Sequence, residues 1–207
     1  MEFTADHYLK LIETLRWRRD IRHFRTDPIE PGTMAAIEAA VDLAPSVGNS
    51  RPWRIIRVNS SAHRQAVIRC FEKAKDEAGQ IYENEGRRAY DALKLAGLRE
   101  APVHLAFFTD LAPVEGRGLG RQTMPETLLY STVTAIHTLW LVARTLNVGV
   151  GWVSILDPET VSAILDVPRT WKLTGYLCLG YLKENQGLPE LHRRLWQSNA
   201  QTDWIDR

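Results

Sequence analysis

Three guanidinium groups and one carboxylate stand within five residues at Arg18-Arg19-Asp20-Ile21-Arg22. A guanidinium is a planar fork of donors that matches phosphate oxygens, and several together hold a phosphorylated ligand better than a single exposed lysine does. Asp20 does not share that task. Inside such a cluster a carboxylate either orients the arginines or does acid–base chemistry on what they hold, and spacing alone leaves both readings open. A second group of chemically able residues is Pro45-Ser46-Val47-Gly48-Asn49-Ser50-Arg51-Pro52, in which donor-rich polar residues are restrained between prolines. That stretch reads either as a ligand-holding loop or as a plain connection from helix to strand. A third is Gly151-Trp152-Val153-Ser154. A glycine inside a strand-like run marks the close approach of another backbone or of a flat ligand, or simple packing.

Other chemistries lack their signatures. No G-x-S-x-G, H-E-x-x-H, Walker lysine or dinucleotide G-x-G-x-x-G occurs, and the glycine-rich Gly116–Arg121 has neither the phosphate-loop spacing nor a strand leading into it. His104 lies in the apolar run Val103–Thr109 with no second ligand at metal spacing, so it reads as a core histidine and no metal is expected. Cys70 and Cys178 stand far apart in apolar segments and read as buried free thiols in a reducing compartment. With 26 Lys+Arg against 25 Asp+Glu, the net charge of +1 provides no field for nucleic acid or an acidic membrane. The longest apolar stretch, Leu128–Val142, is broken by Ser131, Thr132, Thr134, His137 and Thr138 and falls short of a membrane span. The N-terminal residues show no secretory pattern, so the expected location is the cytoplasm.

The elements that must position these residues follow from periodicity and punctuation. A first helix over about Asp6–Trp17, apolar at Leu9, Ile12 and Leu15, delivers the arginine cluster at its end. Pro31 opens a second, with Ile37, Ala40, Val41 and Ala44 on one face. Strands are expected over Trp53–Val58, Val103–Thr109, Val150–Leu156 and Leu173–Leu182. Helices are expected over Ser61–Ala78 and Arg87–Leu98; the charged, weakly apolar region 75–98 reads either as a mobile lid or as a peripheral helical pair. The helix over about Pro125–Leu146 is apolar around most of its circumference, which is easiest to bury if a partner subunit covers one side. Asn147-Val148-Gly149 ends it with a left-handed cap, and Asp157-Pro158-Glu159 starts a short helix. At 207 residues the expectation is one layered domain, 1–207, of helices around a few strands. An arginine cluster, a donor-rich loop and a glycine-bearing strand in a dimer suit a flavin mononucleotide (FMN) site.

Taken together, Arg18–Arg22, Ala44–Gly48, Pro52-Trp53, Thr123-Met124-Pro125-Glu126-Thr127 with Tyr130-Ser131, Gly149–Leu156 and Tyr176–Tyr181 resemble the flavin-destructase branch of the nitroreductase superfamily. The likeness runs in order as far as Pro189-Glu190-Leu191. The arginine motif is common to many nitroreductases; the aspartate within it, combined with the G-V-G-W-V-S-I strand, is what marks the branch. The resemblance implies an α+β nitroreductase-like fold, a central, mostly antiparallel sheet flanked by helices, and a homodimer with FMN at the subunit interface. It implies an oxidoreductase for which reduced FMN is the substrate, fragmented with O2 to 5,6-dimethylbenzimidazole, the lower ligand of vitamin B12, and erythrose 4-phosphate. A separate NAD(P)H-dependent flavin reductase is the implied source of reduced flavin. By the same resemblance Arg18, Arg19 and Arg22 bind the phosphate and ring edge, Asp20 is the acid/base group near the ribityl chain, and Ser154 sits by the isoalloxazine. Pro45, Ser46, Gly48 and Arg51 line the flavin, as do Gly151, Trp152 and Val153, and region 75–98 is the lid. Two departures stand out: Asn49-Ser50-Arg51 replaces a more apolar run ending in glutamine, and Trp196 is followed by Gln197-Ser198-Asn199 instead of an arginine, a place that Arg193 or Arg194 can fill. An FMN-dependent NAD(P)H nitroreductase and a non-catalytic flavin-binding protein are the alternatives; only the first predicts an open cleft above the ring.

Overall fold

The computed structural model describes residues 1–207. Four strands, β1 (Trp53–Arg57), β2 (Val103–Asp110), β3 (Val148–Val153) and β4 (Trp171–Tyr181), form one sheet in the order β1-β2-β4-β3. Every neighbouring pair is antiparallel, with a register shift between Phe107 and Phe108 where β2 meets β4. Alternation sorts the side chains of the central strands to two faces. Leu105, Phe107, Leu177 and Leu179 join the core on one face, and Ala106, Phe108, Tyr176 and Cys178 the core on the other. Helices α2 (Pro31–Ala40) and α5 (Thr127–Thr145) cover the first face; α3 (Ser61–Gly79) and α6 (Pro158–Ile164) cover the second. The result is an α+β fold with both faces of an antiparallel sheet buried.

Local chemistry accounts for most boundaries. Pro31 opens α2 at a position whose N–H would be unpaired anyway, and Asp157 caps α6 by accepting the Thr160 N–H at 2.6 Å. Ser60 caps α3 through the His63 N–H. Three boundaries differ from the sequence expectation. The strand expected over 150–156 spans 148–153, because the chain leaves the sheet at Ser154 to bring Asp157 to its cap; Ser154 is exposed, just past the strand. The helix expected over 87–98 is α4, Asn84–Asp91, and residues 92–101 are irregular chain with turns at either end. Gly97 there lies so close to Phe24 that a Cβ would sit 2.4 Å from its ring. The left-handed residue ending α5 is Asn147 (φ 59°), while Gly149 belongs to β3.

Helix α1 (Ala5–Trp17) lies on the outside, with no buried residue. Tyr8, Leu9, Leu11 and Leu15 are exposed, as are Tyr130 and Val133 of the otherwise buried α5. His104 is core, as its neighbours imply: it is 1% exposed, and the Tyr176 hydroxyl lies 3.0 Å from its Nδ1. Burial and the nearby Arg64 charge push its pKa down to about 4, so the imidazole is neutral. Both cysteines are free and buried.

Candidate functional site

The chain leaving α1 is extended and runs beside the edge strand β3. The Ile21 N–H donates to Val150 O at 3.0 Å, and Asp20 pairs with Val150 in a parallel bridge. Gly151 makes this crossing feasible, since a Cβ there would lie 2.1 Å from the Ile21 carbonyl oxygen. Its role is therefore the close approach of another backbone, one of the readings its position in the strand allows.

That crossing aims Asp20. Its Oδ1 accepts the Trp152 main-chain N–H at 2.8 Å, its Oδ2 accepts from Arg22 Nε at 3.1 Å, and Arg22 Nη2 is ion-paired with that same oxygen at 3.0 Å. The carboxylate is 32% exposed. Burial raises its pKa from the ordinary range, while Arg22, the Trp152 N–H and the Arg18 charge pull it back. In an extended segment residues 18, 20 and 22 share a side, which is why both flanking arginines act on Asp20.

The guanidinium groups have different surroundings. Arg22 also donates from Nη1 to the Lys94 carbonyl at 3.3 Å. Arg19 gives Nε and Nη2 to Gly187 O at 3.0 and 2.8 Å, and Nη1 to Arg18 O at 2.6 Å. Arg18 stacks over the Trp140 ring at 4.9 Å. Neither Arg18 nor the exposed Arg193 is hydrogen-bonded through its guanidinium to a protein acceptor. Arg19, Asp20, Arg22, His23, Glu190 and Arg193 line one small cleft that opens to solvent. Helix α7 (Glu190–Arg193) is held there by Glu190, whose Oε1 lies 3.3 Å from His23 Nε2. The guanidinium groups of Arg19 and Arg193 on the walls of this cleft fit the phosphate of FMN. No group of side chains in the chain has the composition of a metal site.

Region 75–98 meets the arginine cluster through the Lys94 carbonyl, which accepts from Arg22. Tyr90 and Leu93 are buried, and the Tyr90 hydroxyl donates to Lys75 O at 3.1 Å. Tyr82 stacks on Tyr90 with centroids 5.0 Å apart, and Trp196 packs edge-on against Tyr82 at 5.4 Å. Main-chain partners such as Trp152 N–H and Lys94 O leave no mark in a sequence. The Tyr82–Tyr90–Trp196 group is signalled only by its aromatic residue types.

The proline loop lies elsewhere. It precedes β1, at the opposite edge of the sheet from β3, and three strand spacings separate those edges by about 14 Å. The Val47 N–H donates to Ser131 Oγ at 3.0 Å, Thr134 Oγ1 donates to Pro45 O at 3.0 Å, and the Arg51 N–H donates to Ser46 Oγ at 3.0 Å. Gly48 (φ 55°) and Arg51 (φ 42°) are left-handed, and a Cβ on Gly48 would meet Leu119 O at 2.8 Å. The Arg51 guanidinium lies 3.6 Å from Asp42. One chain thus brings together Arg18, Arg19, Asp20, Arg22, Trp152 and Arg193, but not Pro45, Ser46, Gly48 or Arg51. The Val153 side chain is in the core, leaving only its main chain for a ligand, and Ser154 is exposed at the strand end.

Known proteins resemble this chain in sequence and in fold. The sequence pattern of the Nitroreductase family matches residues 15–181. A 5,6-dimethylbenzimidazole synthase of Rhodospirillum rubrum is 55% identical over 183 residues, 88% of this chain and 87% of that one. One from Rhodobacter capsulatus is 49% identical over the whole of both chains. Among solved structures, an iodotyrosine deiodinase bound to FMN and 3-iodo-L-tyrosine superposes with a TM-score of 0.73 at 18% identity, covering 95% of this chain and 97% of its own. A nitroreductase with bound FMN from Desulfitobacterium hafniense gives a TM-score of 0.64 at 18% identity, covering 86% and 91%. The chain belongs to the nitroreductase family.

Proposed function

We propose that this protein is a 5,6-dimethylbenzimidazole synthase, an oxidoreductase whose substrate is reduced FMN and whose co-substrate is O2. The observation that carries the reading is Asp20: a carboxylate, aimed by a main-chain N–H, among the arginines of an FMN-family site. Relatives 46–55% identical that bear the synthase name support it. Reduced FMN supplies the reactivity toward O2, and its fragmentation yields 5,6-dimethylbenzimidazole and erythrose 4-phosphate.

The protein's own groups bind, aim and shield. Arg18 and Arg193, with unpaired donors, and Arg19 beside them take the phosphate and fix the ribityl chain along Asp20. A carboxylate has about four lone-pair positions. Arg22 Nε takes one position on Oδ2 and the Trp152 N–H takes one on Oδ1, so each oxygen keeps a position that can accept a proton. Ser154 presents a hydroxyl near the ring, and the main chain of Trp152 and Val153 borders it. Pro45, Ser46, Gly48 and Arg51 come from a second copy of the chain, because 14 Å of sheet separates them from Asp20 in the first. The exposed apolar residues of α1 and α5 are the surface on which that homodimer forms. Region 75–98 keeps water from the reacting centre, and with the flavin covered, reduction falls to a separate NAD(P)H-dependent flavin reductase.

The test is a single turnover. Protein loaded with FMN is reduced without oxygen, air is admitted, and the small molecules are separated and identified by mass. The wild type is expected to yield 5,6-dimethylbenzimidazole. Asp20→Asn is expected to bind FMN within a few-fold of wild type and to lose at least about 100-fold in product. Intact FMN recovered from the wild type overturns the reading.

A further inference from the structure

Arg22 makes contacts that a phosphate ligand has no need of. Its Nε donates to Asp20 Oδ2 at 3.1 Å with Nη2 ion-paired to the same oxygen at 3.0 Å, and its Nη1 donates to the Lys94 carbonyl at 3.3 Å. Its side chain is 15% exposed. Lys94 begins the turn that presses onto the cluster from above: Gly97 lies within van der Waals contact of Phe24, and a Cβ on it would be 3.1 Å from Arg22 O. The Lys94 ammonium is turned away, 2.6 Å from Glu100, so only the main chain of this residue meets the arginine. No other side-chain hydrogen bond runs between the arginine cluster and residues 84–101.

We propose that Arg22 is a positioning residue that joins Asp20 to the covering segment, so that a single guanidinium both aims the carboxylate and docks the 92–101 turn above it. The inference rests on the reading of Asp20 as the proton acceptor, but its structural half does not. Shape matters here as well as charge. A guanidinium reaches two acceptors on opposite sides at once, whereas an ammonium is a point charge that satisfies one or the other. Removing the Asp20 charge also loosens the turn, because Arg22 then loses the partner that holds it in place. The expected consequence is coupling: Asp20 and the 92–101 turn share no direct hydrogen bond, yet respond together through Arg22.

Amide hydrogen exchange on the flavin-free protein reads this directly. Arg22→Lys is expected to speed exchange across residues 92–101 about tenfold, the equivalent of one hydrogen bond to a charged group. Exchange in β2 and β4 should stay as in wild type. Asp20→Asn is expected to speed the same amides several-fold. The double variant is expected to be no faster than Arg22→Lys alone, the signature of a shared pathway. FMN binding by fluorescence quenching should hold within a few-fold in Arg22→Lys, since the positive charge is kept, while product per turnover falls with the loosened turn. Wild-type exchange in Arg22→Lys overturns the proposal, and so do effects that multiply in the double variant. If the wild type makes no 5,6-dimethylbenzimidazole, the functional reading fails, and the exchange results still decide the structural one.

Discussion

Asp20 is held at both oxygens, by the Trp152 N–H on Oδ1 and by the Arg22 guanidinium on Oδ2. The residue types were legible: a carboxylate among arginines stands out at once. Its partner was not, because Trp152 contributes a main-chain N–H that any residue but proline would carry. Gly151 is the part of this arrangement that a single substitution tests. Gly151→Ala places a Cβ where the Ile21 carbonyl oxygen lies 2.1 Å away, and backbone must move. We expect a loss of about 1–3 kcal/mol in denaturant unfolding, together with reduced product as Asp20 leaves the Trp152 N–H. His104 was legible as a core histidine from its apolar neighbours, and its neutrality gives a pH test. Its pKa of about 4 in the folded chain lies below the ordinary 6.5, so the unfolded chain binds a proton that the native state refuses. Its contribution is whole above pH 6.5 and is lost as pH falls toward 4, on the order of 3 kcal/mol in all. Stability curves measured across that window should flatten in His104→Asn.

Elements were legible where chemistry punctuates them. Pro31 and Asp157 mark helix starts that follow from backbone chemistry alone. Boundaries moved where a distant contact decides. Ile155 and Leu156 look like more strand, but Leu156 is buried outside the sheet after the turn at Ser154. Residues 92–98 look helical, but docking onto Phe24 and Arg22 draws them into irregular chain. The same segment is pinned from its other end by the Tyr82–Tyr90–Trp196 group, a pairing of α4 with the C-terminal segment that no local pattern announces. Aromatic pairs add roughly 0.5–1.5 kcal/mol each beyond burial, so this group holds α4 to the C-terminal segment. Trp196→Ala is expected to raise the rate of tryptic cleavage after Arg87 and Arg88 by about tenfold and to leave the global unfolding midpoint nearly unchanged.

Over the whole molecule, the sheet order keeps the two halves of the site apart. Asp20 belongs to the β3 edge and the Gly48 loop to the β1 edge, and the proposed site takes one half from each of two chains. Periodicity hinted at this through α5, apolar around most of its girth, but which residues stay open required the fold: Tyr130 and Val133 remain exposed beside an α1 that buries nothing. The separation makes a decisive mixing experiment available. Asp20→Asn damages the β3 half, and Gly48→Val, which drives a side chain against Leu119 O, damages the loop half. Each variant alone should give almost no 5,6-dimethylbenzimidazole. Unfolded and refolded together in equal amounts, they form mixed dimers in which one of the two sites draws both halves intact, and the expected yield is about one quarter of wild type. Product at that level supports both the reaction and the shared site; a mixture no more active than its parents contradicts the account.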